Sequence, residues 1–110
     1  MKHHADFVWQ QAENIAKMLN TVAKNLEQQN ESEEVVKNFK DSLKTIGGDC
    51  SKEQFISILT DAAEKVTCKS DNFTIAVRFA VSLPVAADNE EDEYDFSYFM
   101  TLVKFLLATF

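Results

Sequence analysis

The chain has 110 residues, 45% of them hydrophobic, and a formal charge of −7 from eighteen acidic and eleven basic side chains. That length suits one domain with a real core and no need of staples, and the apolar fraction argues against a disordered chain. The acidic balance repels phosphate backbones and anionic lipid, which disfavours nucleic-acid and membrane-surface binding and favours a basic protein partner. Two glycines and one proline are too few for a fold built on many tight turns, so a few long helices are expected.

The first element has the clearest period. Val8, Ala12, Ile15, Leu19, Val22 and Leu26 recur at alternating steps of four and three, with Gln10, Lys17, Lys24 and Gln28 on the other side. This is an amphipathic helix with a seam of heptad type, too short for a free coiled coil and suited to a bundle. Glu13 and Lys17 are spaced for an i,i+4 ion pair.

The polar run QQNESEE ends that helix, and Asn30 or Ser32 can cap the next. Val36, Phe39, Leu43 and Ile46 then form one apolar stripe, and Gly47–Gly48 is expected to stop it with a left-handed glycine. The third helix has the best start signal. Ser51 and Gln54 have capping-box spacing, while Cys50 and Phe55 have that of a hydrophobic staple. Phe55, Leu59, Ala62 and Val66 follow on one face. Cys50 and Cys68 bracket this helix, and at 1.5 Å per residue their Cα atoms stand roughly 25 Å apart. A disulfide needs less than about 7 Å, so two reduced thiols are expected.

Residues 73–83 are ambiguous. Phe73, Ile75, Val77, Phe79, Val81 and Leu83 alternate with smaller or polar residues, as in a strand, yet Pro84 falls where a helix would stop. No third strand is available to support a hairpin, so the helix is preferred. The acidic segment Asp88–Glu93 follows, with Asp88, Glu90, Glu91, Asp92 and Glu93. The last stretch, YDFSYFMTLVKFLLATF, is apolar on nearly every side when wound as a helix. It is expected to be the central helix of the core, surrounded by the others.

The reading is an all-α, single-domain bundle over 1–110 with about five helices, near 5–29, 33–46, 52–67, 72–83 and 95–109. The alternative is α+β, with a hairpin over 73–103. The N-terminus has no apolar run of signal-peptide type, which points to a cytoplasmic protein.

No catalytic, cofactor-binding or metal-binding residue is indicated. His3 and His4 sit at a terminus, and no CxxC, HExxH, GxSxG or phosphate-binding glycine loop occurs. The expected function is a non-enzymatic acidic interaction module, such as an adaptor, small chaperone, or inhibitor or immunity-type protein. Its expected contact residues are Asp88, Glu90, Glu91, Asp92, Glu93 and Tyr94. A protein partner is expected and a homo-oligomer is the other option.

The stretch VVKNFKDSLKTIGGDCSKEQFISIL has a helix–loop–helix rhythm that resembles an EF-hand, with Leu43, Thr45, Gly47 and Gln54 at loop positions one, three, five and twelve. A second such stretch ends in EYDFSYFMTLV, with Ala87, Asn89, Glu91, Asp92 and Tyr98 at positions one, three, five, six and twelve. Most oxygen ligands and both terminal Glu residues are replaced. The resemblance therefore implies a degenerate, metal-free relative that grips an apolar peptide in a groove.

Overall fold

A computed structural model describes residues 5–65, 71–85 and 94–109. Among the described residues there are five helices and no strand. They are α1 (Ala5–Gln28), α2 (Glu33–Gly47), α3 (Lys52–Glu64), α4 (Asp71–Ser82) and α5 (Phe96–Thr109). The all-α bundle is as the periodicity predicts. The α+β alternative is overturned, because α4 is helical across the alternating stretch. Wound at 3.6 residues per turn, Phe73, Ala76, Phe79, Ala80 and Leu83 turn inward, while Ile75 and Val81 remain exposed. The larger residues of the alternation thus fall on two sides of a helix, and the alanines complete its buried face.

The central helix is α1, not α5. Its seam residues Val8, Ala12, Ile15, Leu19, Val22 and Leu26 are all buried, and it packs against each of the other four helices. Around it lies a run of edge-on aromatic contacts. Phe99 of α5 meets Phe55 of α3 at 6.5 Å and Phe79 of α4 at 5.5 Å, and Phe55 also meets Phe96 at 5.8 Å. Edge-to-face rings of this kind add roughly 0.5–1.5 kcal/mol per pair beyond their buried area. Four phenylalanines, Phe55, Phe79, Phe96 and Phe99, thus join α3, α4 and α5.

The helix ends show which local signals act. Ser32 caps α2, accepting from the Val35 N–H at 3.3 Å. Asn30, two residues earlier, takes the left-handed conformation at φ 55° that lets the chain reverse after α1. The capping box at α3 is complete in both directions: Ser51 Oγ accepts from Gln54 N–H and Gln54 Oε1 accepts from Ser51 N–H. Gly47–Gly48 corrects the expectation, since neither glycine has positive φ. Gly48 N–H instead closes the last turn on Thr45 O at 3.1 Å. Glu13 and Lys17 pair at 2.9 Å as their spacing predicts. Cys50 is a free thiol, and Cys68 lies outside the described residues.

Candidate functional site

The outer face of α5 is built from its N-terminus upward. Asp95 caps the helix, its carboxylate accepting from the Tyr98 N–H at 2.8 Å. The Phe96 N–H reaches back to Pro84 O at 2.8 Å, so the chain leaves α4 and enters α5 at neighbouring points. Lys52, at the start of α3, donates to Leu83 O at 2.6 Å and secures the same junction. The end of α4, the start of α5 and the start of α3 are therefore held together at one junction.

Past this junction, α5 buries Phe96, Phe99, Met100, Val103 and Leu106. Its exposed residues are Ser97, Tyr98, Thr101, Phe105, Ala108 and Thr109, none of them charged. Thr101 and Thr109 donate their hydroxyls to the carbonyls of Ser97 and Phe105, each at 3.0 Å, so their methyl groups are left to cover the helix. Phe105 is 60% exposed and Tyr98 is 44% exposed. Tyr98 stacks at a tilt on Tyr94, ring centroids 5.2 Å apart. Trp9 of α1 extends the patch sideways, 6.1 Å from Phe105 and 39% exposed. The neighbouring Glu13 is held below the usual carboxylate range by hydrogen bonding to Lys17, with a smaller pull from the Trp9 side chain.

Of the residues expected to meet a partner, Asp88, Glu90, Glu91, Asp92 and Glu93 lie outside the described residues. Tyr94 is half-buried and joins the patch through Tyr98. Sequence reasoning missed Phe105 and Trp9. Trp9 carries a signal, since it falls outside the Val8–Leu26 seam; Phe105 carries none, being one of many apolar residues in its helix. Lys52 was also missed, because it lies 31 residues from Leu83 in the chain.

The calcium-loop register is not formed at 43–54. Leu43, Thr45 and Gly47 belong to α2, so the first five loop positions are helical and only Gly48–Ser51 separate α2 from α3. In the second stretch, Ala87, Asn89, Glu91 and Asp92 lie outside the described residues, and Tyr98 sits in the first turn of α5. Among the described residues no three His, Cys, Asp or Glu side chains are grouped to hold a metal ion. No described helix is long and apolar enough to cross a membrane. No family model, curated protein or solved structure matches the chain.

Proposed function

We propose that the protein is a non-enzymatic interaction module, of adaptor or inhibitor type, for a basic protein partner. The observation that carries this reading is the aromatic surface of α5, with Tyr98 and Phe105 exposed, Phe105 by more than half, and half-buried Lys104 as the one charge on the helix. Exposed apolar side chains gathered on one side of a helix, as Tyr98 and Phe105 are, are a feature of contact sites. Aromatic side chains are also the residues that most often anchor such contacts. The acidic segment ending at Glu93 precedes Tyr94 directly, and its field draws a basic surface towards that face.

Charge selects between kinds of partner. Two copies at −7 each repel on close approach, whereas a basic protein is attracted. Size sets the strength. Fourteen residues of α5 make a strip roughly 21 Å long and 10 Å wide. That is well short of the ~800 Å² each partner buries in a standard interface. The contact is transient unless the acidic segment enlarges it.

Trp9 is the only tryptophan and reports on this face. Titration with a tryptophan-free amphipathic peptide, lysine on one side and leucine on the other, should give a saturable blue shift of its emission. A glutamate-for-lysine version of the peptide should not. Equal response to both peptides, or to neither, contradicts the reading.

A further inference from the structure

α1 presents Trp9 to α5 but Phe7 to α4, where the Phe7 ring meets Phe79 edge-on at 5.3 Å. On that second side Phe7, Gln10, Gln11, Asn14, Asn72 and Ile75 enclose a cleft of about 230 Å³. Its lining contains no charged side chain, although 26% of the chain is charged, and four of the six residues are carboxamides. Gln10 and Asn14 brace one wall, Gln10 Nε2 donating to Asn14 Oδ1 at 3.0 Å. Ile75 is 49% exposed beside them.

Gln11 is the exception in this core. It is only 5% exposed, the one buried polar residue among those described, and its Oε1 has no hydrogen-bond partner. An orphaned buried acceptor costs about 1–3 kcal/mol, and a leucine or methionine on this flank of α1 would avoid that cost. A polar group kept in such a place, at the edge of a cleft with exposed apolar walls, matches the make-up of a ligand site.

We propose that this cleft recognises an extended, uncharged peptide segment. One apolar side chain of the segment lies between Phe7 and Ile75, and one backbone N–H meets the Gln11 carbonyl as the amide turns about its last torsion, which is soft. The remaining carboxamides both donate and accept, as a peptide bond does. A charged group finds no counter-ion here and loses its hydration. The volume equals that of roughly eight waters at ~30 Å³ each, which fits one side chain with its peptide unit and excludes a helix. The site lies on the α4 side of α1 and does not rest on the reading of α5 as a partner face.

The test is an NMR titration of the ¹⁵N-labelled protein at mildly acidic pH with N-acetyl-leucinamide. N-acetyl-leucine and leucinamide serve as the anionic and cationic controls. The neutral probe should shift the side-chain NH₂ signals of Gln11 and Asn72 saturably, with an affinity on the order of millimolar for so small a fragment. Both charged probes should bind more weakly by about fivefold or more, and Gln11→Met should weaken the neutral probe to a similar degree, the loss of one ordinary hydrogen bond. Should Gln11→Met not fold, Asn72→Ala at the exposed rim carries the same expectation. Unsaturable shifts, equal response to all three probes, or a folded variant that binds like the parent overturns the proposal.

Discussion

Trp9 of α1 and Phe105 of α5 face each other at 6.1 Å, their planes inclined by 52°, and each leaves more than a third of its surface in water. Val8 of α1 and Phe99 and Val103 of α5 are fully buried, so the same two helices also meet through residues of the core. An aromatic pair exposed to this degree offers surface for a contact, and this sets the outer side of α5 apart from its buried side.

Leu106 and Phe105 are adjacent in sequence but differ in burial, 5% against 60% exposed. Leu106→Ala should therefore destabilise the protein by about 2–5 kcal/mol, the usual range for opening a cavity in a core. Phe105→Ala should cost less than about 1 kcal/mol, as surface substitutions do. Urea denaturation of the two variants checks this. Equal losses would mean that Phe105 is a core residue.

Ser51 and Gln54 satisfy each other's backbone N–H groups at the start of α3. Ser51→Ala should cost about 1 kcal/mol, the typical value for a lost N-cap. The neighbouring α2 cap, at the longer distance of 3.3 Å from Ser32, should cost no more when removed. Thermal unfolding of both single variants is the check.

Burial pushes the Cys50 thiol up, and the nearby Lys104 ammonium pulls it partly back. The folded thiol holds its proton to higher pH than the unfolded one. Its contribution to stability is full below the unfolded value and is lost as pH rises from there through the folded value. In a Cys68→Ser background, alkylation by iodoacetamide should follow a midpoint above that of an unstructured peptide thiol. Lys104→Gln should move it higher still. A midpoint at or below the peptide's would contradict the burial of this side chain.

Much of this fold is legible because steps of three and four leave few choices. Every residue of the Val8–Leu26 seam is buried, and the Ser51 capping box starts α3 where its spacing places it. Two features were hidden for identifiable reasons. The helix α5 is apolar nearly all round, and composition alone cannot say which of several apolar faces its neighbours cover; α1 occupies the centre, so one side of α5 remains open. Gln11 is three residues from Val8 and four from Ile15, at the edge of the seam, but its amide gives no sign that α4 packs over that flank of α1 and buries it. At the candidate site the sequence singled out Tyr94 but could not reveal that Trp9, almost a hundred residues from Phe105, completes the same patch.

Gln11→Met replaces an orphaned amide by an apolar chain of similar length. With no partner lost, the substitution should leave stability unchanged or raise it by about 1 kcal/mol. Differential scanning calorimetry reads this as an unchanged or higher Tm. A fall of several degrees would show that the amide makes an interaction worth keeping in the free protein.

Replacing Glu90, Glu91 and Glu93 by Gln removes three charges and takes the formal charge from −7 to −4. Folding should be unaffected, while association with the lysine–leucine peptide should slow. The parent protein's rate should fall as salt rises, since screening shortens the reach of the acidic field to about 8–10 Å at physiological ionic strength. A rate indifferent to both changes would leave the acids with no part in binding.

The central claim is that the outer face of α5 meets a protein partner. Its most direct test places the photo-cross-linker p-benzoylphenylalanine at Phe105, with a control at the exposed Asp61 of α3, and irradiates each protein at matched concentration in cell lysate. The account predicts a discrete cross-linked species from position 105 that Tyr98→Ala weakens, that added salt diminishes, and that position 61 does not give. Identical products from both positions, or none from position 105, would contradict it.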